Sequence, residues 1–348
     1  MIPKEKINSI LEGYDRKEVK IATICSHTAL QIFHGARQEG IKTIGICLER
    51  NKKVYDSFPY GRPDEYIIVD DYGDIPAKEL VEKNAIVVPH GSFVEYVGDK
   101  LKELKVPLFG NRMSLLWEGD RGNLFKWMKD SGLKTPRLFT PRSIDRPCIV
   151  KLPGAKGGRG YKVVSSPEEF KKKIKEERFT IQEYIQGVRV YPHYFYSPIS
   201  KVGYEVMGGA LELMSIDRRL ESNIDESYRA TAAGVKVEPS FTVIGNEGVI
   251  LRESLVKEVM EMGAGVVESS YRLFNGIPGP FCIEMICTEK LEFYAFEISA
   301  RIVAGTNMYP LGSPYSCYTY DEPMSTGRRI AREVKRAAEL GKLDKVIY

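Results

Sequence analysis

The sequence predicts an α/β fold that opens on a doubly wound parallel sheet and passes into α+β units. Three observations predict it. Apolar, strand-like runs alternate with helix-like stretches through the first third; the alternation stops near Asn111; strand patterns then dominate to about residue 300, broken by one long helical segment. Strands alternating with helices favour a parallel sheet, because each crossover helix covers a sheet face.

Taken in order, Val19–Cys25 is an apolar run suited to a strand buried on both faces. Ser26 is placed to cap a following helix that reaches Glu39 and stops at Gly40. Lys42–Leu48, Glu65–Val69 and Asn84–Val88 supply further strands. Asp120–Gly132 reads as an amphipathic helix carrying Leu124, Phe125, Trp127 and Met128, ended by Gly132 and Pro136. Beyond it, Cys148–Leu152, Tyr161–Val164 and the tyrosine-rich Val188–Tyr196 read as strands, and Leu251–Phe274 as a long helix. Ser325–Leu340 reads as a basic helix with Ile330, Val334, Ala337 and Leu340 on one packed stripe.

Composition narrows the function. The 348 residues carry 51 Lys+Arg against 47 Asp+Glu, and this small, dispersed excess makes no case for nucleic-acid or membrane partners. No run approaches the about 20 apolar residues of a spanning helix, and Met1-Ile-Pro-Lys-Glu-Lys6 lacks the apolar core of a secretion signal. Six scattered cysteines with no Cys-x-x-Cys fit reduced thiols, so a cytoplasmic protein is expected, with no covalent nucleophile among them.

The clearest local signal is Ile149–Val164, where two strands flank a loop with glycines at 154, 157, 158 and 160. Glycines let backbone amides approach a phosphate, and Lys151, Lys156 and Arg159 add positive charge. The spacing fits neither nucleotide-binding glycine motif that opens a helix. It suits a phosphate-covering flap or a surface hairpin whose glycines serve turns alone. A second signal is Pro280–Arg301, read as two strands joined by a tight turn at Glu289-Lys290. Pairing Thr288 with Leu291 puts Glu284 and Glu297 on one face as diagonal neighbours at about 7–8 Å, and Glu292 on the other. Two carboxylates among apolar residues need a cation; they suit Mg²⁺ carried by nucleotide phosphates, with Arg301 stabilising a transferring phosphoryl group, or a structural Glu–Arg pair.

A third signal lies past the first and fourth strands, where His27 and Ser92 can face one crevice at the carboxyl edge of a parallel sheet; His27 suits cap packing equally. Gln182–Ile185 suits a hinge beside an adenine ring, and Asn246 a Gly-Asn turn after Phe241–Ile244. The charged run Ser215–Asn223, with Asp217, Arg218, Arg219 and Glu221, reads alone as a solvated face, and Tyr191, His193, Tyr194 and Tyr196 as core packing.

Together these residues resemble an ATP-grasp enzyme: a glycine-rich flap after a strand ending in Lys, a Gln-Glu-Tyr-Ile hinge, and two Glu on neighbouring strands with a downstream Arg. The wording of Ile24–Arg37, Leu213–Asn223 and Phe296–Asn307 is more specific and resembles the archaeal formate-dependent 5-formaminoimidazole-4-carboxamide ribonucleotide synthetases, with likeness from about residue 19 onward. The resemblance implies three parts: an N-terminal Rossmann-like domain over 1–112, a small ATP-grasp subdomain with the flap over 113–190, and a large one with the metal site over 191–348. It implies a purine-biosynthetic ligase that forms formyl phosphate and ADP from formate and ATP, then formylates 5-aminoimidazole-4-carboxamide ribonucleotide (AICAR). By matching position, Glu284 and Glu297 would hold Mg²⁺ or Mn²⁺. Lys151, Lys156, Gly157, Gly158, Gly160, Glu183 and Glu221 would hold ATP, and His27, Ser92 and Asn246 would contact AICAR. Lys151 and Arg301 would be catalytic, and a homo-oligomer is implied. The usual Glu-x-Asn-x-Arg is here Glu297-Ile-Ser299-Ala-Arg301, leaving Ser299 or Asn307 as the further metal ligand. The alternatives are a sister carboxylate–amine ligase with a different acid or amine, or a non-catalytic nucleotide-binding paralogue.

Overall fold

The computed structural model describes residues 1–152, 160–237 and 240–348, without the side chains at 224 and 225. β1 (Lys20–Ile24), β2 (Thr43–Cys47), β3 (Glu65–Ile68) and β4 (Ala85–Val87) form a parallel sheet in the order β3-β2-β1-β4. Ile21, Ile24, Ile44 and Ile46 are wholly buried in it, as continuous apolar strands require. Each strand is trimmed by a residue at one or both ends relative to expectation.

The turn after β1 departs from the expected cap. Ser26 N–H donates to the Ile24 carbonyl at 2.8 Å, and His27 takes φ 53°. The helix therefore begins only at Ala29, with Thr28 at its N-cap and no side-chain cap bond. Ser26 lies outside the helix, and its hydroxyl accepts from Ser92 Oγ at 3.0 Å. Gly40, at φ 74°, ends the helix as expected.

β5 (Leu138–Phe139), β6 (Cys148–Lys151), β7 (Lys162–Val164) and β8 (Thr180–Glu183) make a small antiparallel sheet, ordered β5-β8-β6-β7. Its core is Ile144, Cys148, Val150, Val164, Phe170 and Ile181. The larger sheet runs β10-β11-β9-β13-β14, with β12 on β11. Its members are β9 (Val188–Ser197), β10 (Tyr204–Val206), β11 (Gly209–Glu221), β12 (Val243–Gly248), β13 (Gly279–Cys287) and β14 (Phe293–Ser299). Tyr194, Leu211, Ile283 and Met285 pack one face of it against Val259, Val266 and Val267 of the Glu253–Phe274 helix. The Arg121–Asp130 helix, capped by Asp120, adds Trp127 to that same core, and its Nε1 donates to Ser269 Oγ at 3.1 Å. Side chains alternate along a strand, so Tyr191, Asp217, Arg219, Glu284 and Glu297 belong to the opposite face.

The C-terminal segment returns to the first sheet. Its Thr326–Glu339 helix packs on Ala29–Gln38 at two glycines: a Cβ on Gly35 would lie 2.1 Å from Arg328 N, and one on Gly327 would lie 2.3 Å from the Gln31 carbonyl oxygen. Ile330, Val334 and Ala337 are buried there, but Leu340 is exposed because the helix ends at Glu339 and turns it to solvent. Leu108 and Tyr348 exchange backbone hydrogen bonds at 3.1 and 2.8 Å, and Val346 and Ile347 share a core with Ile21 and Ile86. No described helix is long and apolar enough to cross a membrane.

Candidate active site

Glu284 and Glu297 face each other directly across β13 and β14. The expected diagonal placement fails because Thr288 N–H pairs with the Glu292 carbonyl, leaving three residues in the turn, with Leu291 at φ 62°. That odd loop alone would send Glu297 to the wrong face. A bulge restores it: Met285 pairs with Ala295 but Glu284 with Glu297, so Phe296 is the extra residue. Glu292, expected on the other face, instead stands opposite Thr288 and so shares the side of Ile286 and Glu284; at the hairpin end it pairs with Lys134 at 2.8 Å.

Glu284 is buried, and its Oε1 accepts from Arg219 Nη2 at 2.7 Å and from Ser299 Oγ at 3.2 Å. Ser299 therefore sits beside the pair, whereas Asn307 donates to the His27 carbonyl at 3.1 Å and lies at the other end of the site. Burial, then Glu284, pushes the Glu297 carboxyl up to about 7. Burial brings the Lys151 ammonium down to about 8 against the pull of Glu297; its Nζ lies over Phe296 at 4.7 Å and Tyr161 at 5.5 Å. Among the described residues no three His, Cys, Asp or Glu side chains form a ready metal cage. Two hard carboxylates short of a cage are what Mg²⁺ takes when phosphates and water complete its octahedron, so the donor set fits a nucleotide-borne ion.

These groups stand at the inner end of a cleft of 640 Å³ between the small sheet and the larger one. Lys151, Gln182, Glu183, Tyr184, Arg219 and Glu221 line it. Glu183 Oε1 accepts from Arg146 at 3.1 Å, and Glu221 pairs with Arg189. Gln182 Nε2 is buried without a partner among the described residues, a donor available to a ligand. Of the expected flap, Gly160 is described, at φ 79°; Gly154, Lys156, Gly157, Gly158 and Arg159 lie outside the described residues.

The other end of the site lies past β1 and β4. His27 stacks on His90 with ring centroids 5.3 Å apart and planes at 6°. A Cβ on Gly91 would meet His27 Nε2 at 2.7 Å, so only glycine lets the ring lie there. His90 Nδ1 accepts from Ser92 N–H at 3.2 Å, so its Nε2–H donates to the Ile24 carbonyl at 2.9 Å. Burial takes His90 down to about 4. His27 keeps an exposed edge, yet the protein crowded around it, then His90, Arg301 and Arg219, holds its pKa well below the ordinary value. Arg301 is engaged by the buried Glu118, with Nε at 3.1 Å and Nη2 at 2.9 Å from Oε1. Asn246 is not in a turn: the apolar run continues as β12, where it pairs with Arg219 and donates to Asp217 Oδ2 at 2.6 Å.

Sequence reasoning missed His90, Glu118 and, in function, Arg219, Asp217, His193 and Tyr191. Asp217 is fully buried, taking His193 Nε2 at 2.6 Å and Asn246 on its two oxygens, rather than solvated. The signal lay in alternation: Asp217, Arg219 and Glu221 recur at every second residue, as a strand face does.

Residues 167–348 match a family model described as a domain of unknown function (DUF1297), and residues 21–139 one described as a protein of unknown function (DUF1246). The 5-formaminoimidazole-4-carboxamide-1-(beta)-D-ribofuranosyl 5'-monophosphate synthetase of Korarchaeum cryptofilum is 52% identical over 367 residues, covering 100% of both chains. The IMP biosynthesis protein PurP from Thermococcus kodakaraensis superposes with a TM-score of 0.75 at 29% identity, over 94% of this chain and 100% of that one. The N5-carboxyaminoimidazole synthetase from Staphylococcus aureus, solved with ADP, shares the fold with a TM-score of 0.63 at 16% identity, over 91% and 77% of the two chains.

Proposed function

This chain belongs to the family of 5-formaminoimidazole-4-carboxamide ribonucleotide synthetases, with an ATP-grasp fold, and on that premise we propose that it formylates AICAR with formate and ATP. A formate oxygen attacks the γ-phosphorus, the bond to ADP breaks, and formyl phosphate forms. The AICAR 5-amino nitrogen then attacks the acyl carbon, and phosphate leaves with the proton that the nitrogen gives up. Formate needs this activation because its own leaving group would be oxide.

Lys151 binds the transferring phosphoryl oxygens, and Glu183, Glu221 and residues 156–160 hold the rest of the nucleotide. Glu284 and Glu297 hold the divalent ion, Mg²⁺ before Mn²⁺, which when bound screens the phosphate charge. Arg301, kept rigid by Glu118, adds positive charge beside the transferred group. His27, Ser92 and Asn246 orient AICAR. A closed cleft keeps water from the acyl phosphate.

The observation that carries this reading is the direct opposition of Glu284 and Glu297 with Lys151 at the inner end of the cleft. ADP release tests it, measured with ATP, Mg²⁺, formate and AICAR present and each omitted in turn. Turnover requiring all four supports it. Turnover indifferent to formate points to a sister ligase, and nucleotide binding without turnover to a non-catalytic paralogue; either result overturns it.

A further inference from the structure

We propose that Arg219 is the site of the acid substrate, receiving the formate carboxylate on its guanidinium fork and then holding the acyl oxygen of formyl phosphate. This inference rests on the reading above and adds the subsite that reading leaves without a residue.

The larger sheet sets out the reactants in a line. Across its cleft face run Glu297 on β14, Glu284 on β13, Tyr191 on β9, Asp217 and Arg219 on β11, and Asn246 on β12; Glu284 faces Glu297, Tyr191 faces Asp217, and Arg219 faces Asn246. Neighbouring strands lie about 4.8 Å apart, so β11 stands about 10 Å from β13 and about 5 Å from β12. One end of this line serves the phosphoryl group and the other the ribonucleotide. Formate must lie between them, because one of its oxygens bonds to the γ-phosphorus and its carbon then meets the amine. Arg219 occupies that middle position. Its guanidinium lies over the Tyr191 ring at 4.6 Å and reaches Glu284 with Nη2.

Among the described residues, several other arginines around the cleft are paired with carboxylates, while Arg121 hydrogen-bonds Tyr161. Arg301 is held by Glu118, Arg189 by Glu221, and Arg146 by Glu183. Arg218, the residue before it on β11, also lines the cleft but pairs with Glu247 at 2.5 Å. Arg219 instead gives one nitrogen to a carboxylate that the nucleotide-borne ion also uses. A planar fork matches a carboxylate in two parallel hydrogen bonds, and the same donors face the negative charge that grows on the acyl oxygen when the amine attacks. The Tyr191 face beneath the fork limits the room, which favours a small acid.

The test compares wild type with Arg219→Lys and Arg219→Met. KM is measured separately for formate, ATP and AICAR, and Mn²⁺–ATP binding is followed without turnover by electron paramagnetic resonance. Loss of a charge-assisted double hydrogen bond should raise the formate KM about 30-fold in Arg219→Met, and by less in Arg219→Lys, while the Mn²⁺–ATP affinity and the AICAR KM move less than about threefold. An unchanged formate KM overturns the proposal. So does a formate KM that rises only in step with weakened Mn²⁺–ATP binding, since Arg219 would then serve Glu284 alone. If wild type itself turns over without formate, the functional reading fails instead, and the two failures are distinguishable.

Discussion

The two ends of the site are built by different means. At the Glu284–Glu297 end, charged groups project from regular strands, and their positions follow from register and alternation. At the His27–His90 end, positions follow from a left-handed residue, a glycine under a ring and backbone bonds to an imidazole. The first end is fixed by charge and the second by shape. Substitutions should therefore fail electrostatically at one end and sterically at the other.

The sharpest way to break the comparison is Glu297→Gln, which keeps shape and removes charge. Turnover should fall by about 10³ or more while the melting temperature moves by only a few degrees; retained activity would refute the metal assignment. The opposite end offers a stability effect. His90 has a folded pKa of about 4 against an ordinary 6.5, so its contribution is complete above pH 6.5 and is lost as pH falls through 4. Between pH 7 and pH 4, wild type should lose about 3 kcal/mol more than His90→Gln in urea unfolding, and equal losses would contradict the buried neutral ring. Next comes Lys151→Met, expected to lower kcat/KM for ATP about 100-fold with the AICAR KM nearly unmoved. Smallest is Gly91→Ala, whose Cβ displaces the His27 ring. The AICAR KM should rise about tenfold and the ATP KM should not, so a matching rise in both would erase the distinction between the ends.

How much was legible in the sequence divides along the same line. The parallel first sheet, the glycine flap's flanking strands and the carboxylate pair were readable, because apolar runs and alternating charges are one-dimensional patterns. The pair is instructive, since its shared face was anticipated from a two-residue turn that does not exist. A three-residue turn and a bulge at Phe296 each shift the register by one residue; the two add to a shift of two, which keeps the face and moves Glu297 from diagonal to directly opposite Glu284. Asn246 and Ser26 were misplaced because both stand next to turn-like residues whose local preference the strand and the left-handed His27 override. Arg219 and Asp217 were taken as a solvated run because their partners, Glu284, His193 and Asn246, are distant in sequence and only strand pairing brings them near. Glu118 was silent for the same reason: its tie to Arg301 spans 183 positions.

The backbone pairing of Leu108 with Tyr348 bears on how the protein is made. A ribosome delivers the first four strands early, but Val346 and Ile347, which fill the core beside Ile21 and Ile86, follow more than 250 residues after them. Until then the nascent first sheet carries an apolar flank open to solvent, and closing it means drawing together chain segments more than 200 residues apart, a slow contact to form. Completion of the half built on the first sheet therefore waits until Val346 and Ile347 have been made, and a nascent chain stalled short of those residues would present that flank to chaperones.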